Sequence, residues 1–137
     1  MTLNHFQRMV QGEVPPPAVA KLLGGRVIAL DLAQGSLSSE YQGNETFLNP
    51  AGQLQGGILG AMLDDVTAGL VDATVQPGEG VATLSLTLSF LRPAVMGPVQ
   101  AQASLIRRGR DICHVQGTLS QGGQAVASAV AVCKIVR

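Results

Sequence analysis

The residue whose type and surroundings most clearly indicate chemistry is Asp64, which lies within a long apolar segment. On a helix, its neighbours at i−4, i−3 and i+4 are Gly60, Ala61 and Ala68, all of them small. Small neighbours leave space beside the carboxylate that a ligand could occupy. The alternative is close packing of the helix on a sheet, with Asp64 bonded to backbone. The adjacent Asp65 points to another face and is the next candidate.

A glycine pair, Gly56 and Gly57, stands at the start of the same segment. The first amides of a helix have no partner within the helix and carry the positive end of its dipole. Glycine lets a carbonyl approach such an amide without meeting a Cβ, and this geometry stabilises the negative charge that develops in acyl transfer. The pair therefore predicts an oxyanion site, although an ordinary glycine-rich helix start would have the same sequence.

A long helix must carry these residues. We predict it over residues 54–75, which contain no proline and are apolar on nearly every side. A helix of about 20 residues is roughly 30 Å long, enough to cross a domain. Because it has no polar face, it belongs inside the fold, and Pro77 and Gly78 end it.

Six further segments have the signals of strands, and a short helix over about residues 18–23 precedes them. The predicted strands are RVIALDL and SLSSEYQ around an Ala-Gln-Gly turn, VATLSLTLSFL at residues 81–91, PVQAQASLI and DICHVQGTLS around Arg108-Gly109-Arg110, and residues 124–136. The order of two strands, the long helix and four strands predicts an α+β fold. In it, a curved antiparallel sheet wraps around one long central helix.

Strict alternation in the third strand sets the direction of its side chains. It places Thr83 on the face opposite the apolar residues, which are Leu84, Leu86, Leu88 and Phe90.

The two cysteines and two histidines lack the spacing of a zinc site, so we predict no metal. If Gly122-Gly123 forms a two-residue turn, Cys113 lies opposite Val132 and Cys133 opposite Ile112. The two sulfurs would then lie on opposite faces of the sheet, and no disulfide is expected.

Charge and length exclude several classes of function. Nine basic and nine acidic side chains cancel, so neither nucleic acid nor an anionic membrane is an expected partner. No segment approaches the ~18 consecutive apolar residues of a membrane span, and the N-terminus carries Arg8 and Glu13 where a signal peptide needs an apolar run. We expect a cytoplasmic protein with one domain over residues 1–137, in which residues 1–24 form an extension and the short helix.

These residues and segments resemble one known family. The order Asn49, Gln55-Gly56-Gly57 and Asp64 resembles the Asn, His-Gly-Gly and Asp spacing of hotdog-fold acyl-CoA thioesterases of the phenylacetate-degradation (PaaI-like) type. LLGGRVIALD is similar to that family's first helix-to-strand junction, VATLSLTLSFLRPAVMGP to its strand with the Arg-Pro-Ala turn, and RRGRD to its next hairpin. The resemblance covers roughly residues 17–136 and implies a single hotdog thioesterase domain.

The resemblance implies hydrolysis of an acyl-CoA thioester without a cofactor. Asp64 would act as general base or as nucleophile, and the Gly56 amide would polarise the thioester carbonyl. Asn49 would position the carbonyl or the water. Thr83 would orient the water, unless it is an ordinary strand threonine. Family members pair their sheets edge to edge into homodimers or homotetramers, with sites at the dimer interface.

Gln55 departs from the family pattern, because His is usual at this position. Glutamine keeps a hydrogen-bond donor and acceptor but cannot take up a proton. We expect catalysis to survive, because the base is a carboxylate and the oxyanion donor is backbone. The alternative is a non-catalytic hotdog module that binds acyl-CoA or another thioester. A hotdog dehydratase or hydratase is a more distant reading, because neither His5 nor His114 is suitably placed.

Three arginines form the basic cluster of the chain: Arg107, Arg108 and Arg110. They are candidates to meet CoA phosphates, although a solvated hairpin tip would have the same composition. His114 alternates with Ile112 and Gln116 on a strand, and we interpret it as structural.

Overall fold

The computed structural model describes residues 2–137, which form one antiparallel sheet around a long helix. The helices are α1 (His5–Val10), α2 (Ala18–Leu22) and α3 (Gly56–Asp72). The strands are β1 (Arg26–Asp31), β2 (Ser36–Gly43), β3 (Gly80–Phe90), β4 (Gly97–Arg108), β5 (Ile112–Gln121) and β6 (Gln124–Val136). Their order in the sheet is β1-β2-β4-β5-β6-β3. The predicted α+β fold and the predicted order of its main elements are confirmed.

The long helix α3 is the centre of the fold. It packs against β2, β3, β4, β5 and β6, and Gly57 is its only exposed residue. The helix lies close to β5 at Gly117, where a Cβ would stand 2.9 Å from the Thr67 methyl group. A glycine is therefore needed for the helix to lie this close to the strands. No helix in residues 2–137 is long and apolar enough to span a membrane.

Helix α1 was not predicted from the sequence and is only six residues long. Its start has a capping box: the Asn4 side chain accepts from the Gln7 backbone, and the Gln7 side chain accepts from the Asn4 backbone. Asn and Gln three residues apart are a recognisable form of this signal. The spacing of Asn4 and Gln7 in the sequence is therefore a signal that predicts the start of α1.

The edge strand β3 contains a bulge that the alternation did not predict. Its register on β6 shifts between Thr83 and Ser85, so Leu84 is an extra residue that is 57% exposed. Thr83 faces α3 before the bulge, and Leu86 and Leu88 pack against the core after it. The prediction that Thr83 lies opposite those leucines is wrong, because one inserted residue reverses the alternation.

A second bulge changes the positions of the cysteines. The register of β5 on β6 shifts between Leu119 and Ser120, so Cys113 lies directly opposite Cys133. Both side chains are buried, and both are free thiols. The predicted partners and the predicted opposite faces are wrong, because the expected register assumed a regular hairpin without an extra residue.

Candidate functional site

Asp64 and Thr83 are joined by a hydrogen bond between α3 and β3. The Thr83 hydroxyl donates to Asp64 Oδ1 at 2.8 Å. Both residues are partly exposed rather than enclosed in the core. The bond holds one carboxylate oxygen in place, which restricts the orientation of the whole group.

Asp64 lies on the wall of a cavity of about 640 Å³. The walls come from α1, α2 and the segment between them, one face of α3, and parts of β1, β2 and β3. Its apolar wall includes Phe6, Met9, Val19, Val27 and Leu37. The small neighbours Ala61 and Ala68 line the same space, as expected for residues that leave room beside a carboxylate.

Asp65 lines the same cavity on the same face of α3 as Asp64, so the expectation that it points to another face is wrong. Its Oδ2 accepts a hydrogen bond of 2.6 Å from the hydroxyl of Tyr41, a β2 residue that is only 1% exposed. Burial raises the pKa of Asp65; the Tyr41 hydrogen bond opposes this rise and the charge of Asp64 adds to it. Burial and then the neighbouring Asp65 likewise raise the pKa of Tyr41.

The glycine pair forms the first turn of α3. The backbone amides of Gly56 and Gly57 donate to no acceptor among residues 2–137, so they can receive an oxyanion. A Cβ on Gly57 would meet nothing, whereas one on Gly56 would be 3.2 Å from Phe90 Cζ. A second hollow of about 370 Å³ lies beside Gly56 and is lined in part by Phe90.

Asn49 lies in the loop before α3 and Gln55 at the start of that helix, and neither lines the cavity that contains Asp64. Asn49 Oδ1 accepts from the amides of Ala51 at 2.9 Å and Gln53 at 3.1 Å, so it holds the loop before α3. Only its Nδ2 can donate towards a ligand. Gln55 is the N-cap residue of α3, and its exposed side chain makes no capping bond.

The predicted site residues therefore form two groups. Asn49, Gln55, Gly56 and Gly57 make the glycine group, and Asp64 with Thr83 makes the carboxylate group. Asp64 is eight positions after Gly56 on the helix, which is about 12 Å along the axis. Within one chain, a single carbonyl cannot contact both the Gly56 amide and the Asp64 carboxylate.

A sequence profile of the acyl-CoA thioesterase N-terminal domain family matches residues 48–134, more than half of the chain. The chain belongs to this thioesterase family. The reaction of this family is the hydrolysis of thioesters, so the substrate class is a thioester.

Relatives and solved structures agree with this assignment. One similar structure is from Ralstonia eutropha and is described provisionally as a thioesterase and phenylacetic acid degradation-related protein. It is 57% identical in sequence with a TM-score of 0.94, and the match covers 96% of this chain and 99% of the Ralstonia chain. A Saccharolobus solfataricus protein, described provisionally as an esterase, is 30% identical over 98 residues, 72% of this chain and 68% of that one. The PaaI protein of the Escherichia coli phenylacetic acid degradation operon has the same fold, with TM-score 0.85, 22% identity and coverage of 99% and 97%. The hotdog fold and the family predicted from the resemblance are confirmed.

The arginine cluster of this thioesterase lies at the far end of α3 from the glycine group. Arg108 donates to the side chain of Thr74 at 2.9 Å and to its carbonyl at 3.3 Å, just beyond the last turn of the helix. Along the helix axis, Thr74 is about 15 Å from Asp64. Arg107 and Arg110 are exposed on the same hairpin. Within one chain, the three arginines join neither group of site residues.

Sequence reasoning missed several residues that shape the thioesterase cavity. The contact of Tyr41 with Asp65 depends on which strand packs beside α3, and no local sequence pattern predicts which strand that is. The contribution of Phe6 and Met9 to the cavity depends on α1, a helix too short to show an apolar periodicity. Within residues 2–137, no group of three or more His, Cys, Asp or Glu side chains is arranged to hold a metal ion.

Proposed function

We propose that the protein hydrolyses an acyl-CoA thioester to the free acid and CoA. Asp64 acts as general base or nucleophile, and the Gly56 amide is the oxyanion donor. The observation that carries this proposal is the 2.8 Å hydrogen bond from Thr83 to Asp64 on the wall of a large, mainly apolar cavity. Membership of the thioesterase family supports the reaction type.

In the general-base route, Asp64 takes a proton from water as the water oxygen bonds to the thioester carbon. The carbonyl oxygen becomes an oxyanion that the Gly56 amide stabilises, and Asn49 positions the carbonyl or the water. The oxyanion then collapses, the carbon–sulfur bond breaks, and the CoA thiolate takes up the proton from Asp64. Thr83 holds Oδ1, so Oδ2 is the oxygen that receives the water proton.

In the nucleophile route, an Asp64 oxygen itself bonds to the thioester carbon and expels the CoA thiolate. The product is a mixed anhydride between Asp64 and the acyl group, which water then hydrolyses. The two routes place solvent oxygen differently. Only the nucleophile route can transfer it into the side chain of Asp64.

The separation of the two groups supports a site made by two chains. The outer edge of β3 pairs with no strand in residues 2–137, and such edges are templates for pairing. Phe90, next to Gly56, and Thr83, next to Asp64, lie near opposite ends of β3. Antiparallel pairing of two β3 strands would therefore bring the glycine group of one chain towards the carboxylate group of the other. We propose a homodimer, or a homotetramer of two such dimers, and light scattering measures this.

A panel of aromatic, short-chain and long-chain acyl-CoAs, with release of free thiol as the readout, tests the reaction. We expect turnover of at least one acyl class and a loss of about 10² or more in Asp64→Asn. The matched control is Asp31→Asn, which removes an exposed carboxylate outside the cavity. Single turnover in ¹⁸O-water then tests for the nucleophile route, because label in Asp64 arises only when water attacks the Asp64 carbon of the mixed anhydride.

Absence of thiol release across the whole panel would contradict the proposal. Calorimetric binding of an intact thioester without turnover would instead favour the non-catalytic binding module, which Gln55 in the place of His motivates. Unchanged activity of Asp64→Asn would move the role to Asp65. Contact of Arg107, Arg108 and Arg110 with CoA phosphates stays a prediction.

A further inference from the structure

Asp65 has a hydrogen-bonding capacity that the proposed reaction does not use. One carboxylate oxygen accepts from Tyr41 at 2.6 Å. The other oxygen accepts from no group among residues 2–137. Every fully buried side-chain nitrogen or oxygen in this range has a hydrogen-bond partner, so this unpartnered oxygen is not fully buried. Asp65 lines the same cavity as Asp64, so this second oxygen is accessible from the cavity.

The surroundings make a further donor favourable at this oxygen. A carboxylate withdrawn from water needs hydrogen bonds to compensate for its lost hydration, and bonds to a charged acceptor are among the stronger ones. Burial is the largest influence on the Asp65 pKa, so the carboxylate is substantially removed from solvent. Tyr41 supplies one donor, and a hydroxyl or amino group on a ligand would supply another.

The charge of the cavity favours the same class of ligand. Asp64, Asp65 and Asp72 all line it. The cation on its wall is Arg26, which is paired with Glu40 at 3.5 Å. His5 also faces the cavity and is exposed. An acyl group that ends in a carboxylate would therefore enter a space with an excess of negative charge.

We infer that Asp65, held in place by Tyr41, determines specificity in the proposed thioesterase site. It favours acyl groups that carry a hydroxyl or amino donor and disfavours acyl groups that end in a carboxylate. The inference rests on the proposed function for the identity of the ligand, an acyl thioester. It assigns Asp65 a role in choosing the acyl group and not in the bond-breaking step.

The first test compares kcat/KM for three CoA thioesters that differ only at the far end of the chain: hexanoyl-CoA, 6-hydroxyhexanoyl-CoA and adipyl-CoA. In the wild type, we expect the hydroxylated substrate to exceed adipyl-CoA by about tenfold to a hundredfold. Asp65→Asn should reduce this ratio by about tenfold, because the amide keeps the shape and an acceptor for Tyr41 but removes the charge. The control Asp31→Asn should leave the ratio unchanged.

A purely structural role for Asp65, as a link between β2 and α3, predicts another result. Asp65→Asn would then change all three rates by the same factor and leave their ratios alone. That outcome overturns the inference, and the proposed hydrolysis would still stand.

The second test measures binding without hydrolysis, using thioether analogues of the same three ligands in which the carbonyl is replaced by CH₂. We expect their dissociation constants to follow the same order, and Asp65→Asn to reduce the difference between the hydroxylated and the carboxylated analogue. If no thioester is hydrolysed but this binding preference is present and depends on Asp65, the proposed function fails and the inference holds. Equal binding of all three analogues overturns the inference.

Discussion

Asn4 connects two helices that are far apart in the sequence, and replacing it with alanine should loosen both. Its side-chain amide donates to the carbonyls of Asp72 and Ala73 at 3.2 Å and of Val75 at 2.8 Å, at the end of α3. Its side-chain oxygen accepts from the Gln7 amide at 2.9 Å and caps α1. The residue is only 3% exposed, so water does not readily replace these bonds.

The expected loss for Asn4→Ala has two parts. Removal of an N-cap costs about 1 kcal/mol. The Val75 carbonyl, which loses its donor in buried surroundings, costs about 1–3 kcal/mol more, whereas the Ala73 carbonyl keeps the Gln7 side-chain amide as a donor. The sum, about 2–4 kcal/mol, is a large fraction of the ~5–15 kcal/mol by which domains are stable. For a chain of this size, the melting temperature should fall by about 6–12 °C.

Thermal unfolding followed by circular dichroism at one fixed protein concentration measures this effect. The matched control is Asn44→Ala, since Asn44 also caps a turn, accepting from the Thr46 amide at 2.9 Å, but does so on the surface. We expect Asn44→Ala to lower stability by about 1 kcal/mol or less. Similar melting temperatures for the two variants would refute the reasoning that the buried carbonyl bonds anchor α1. Because Phe6 and Met9 of α1 line the cavity, Asn4→Ala should also weaken discrimination between acyl groups of different length.

Three further changes test other parts of the structure. Thr83→Val removes the hydrogen bond to the proposed base and should lower kcat by about tenfold or more, whereas Thr83→Ser should retain most activity. Gly117→Ala brings a Cβ to 2.9 Å from Thr67 and should cost about 1–3 kcal/mol in urea denaturation, while Gly80→Ala, where a Cβ meets nothing within 4 Å, should cost little. Burial raises the pKa of Asp65 in the folded protein above its value in the unfolded chain, which is about 4. The stability that protonated Asp65 contributes to the wild type is therefore fully present below about pH 4 and is lost as the pH rises through the folded pKa. Asp65→Asn cannot undergo that loss, so its melting temperature relative to the wild type should rise as the pH increases above about 4, and a difference independent of pH would contradict this.

The elements of the fold were predictable because their signals are local. The proline-free apolar run predicted α3, and alternation with glycine turns predicted the strands, to within a few residues at each end. The neighbours of Asp64 were also predictable, since helix geometry alone places Gly60, Ala61 and Ala68 beside it.

The details that sequence reasoning missed depend on contacts between distant segments. The bulge at Leu84 lets Thr83 reach Asp64 while the later leucines of β3 still pack on the core, and alternation along one strand cannot express that requirement. The extra residue in β6 that sets Cys113 opposite Cys133 has the same cause. Bulges arise from the fit between neighbouring strands, so a single strand's pattern does not predict them.

The distance of about 12 Å between Gly56 and Asp64 along α3 has a genetic consequence in the proposed dimer. A subunit with a damaged glycine group and a subunit with a damaged carboxylate group would together still build one intact site. Two inactive alleles of this gene, expressed in one cell, should therefore complement each other when their lesions fall in different groups. Two alleles with lesions in the same group should not.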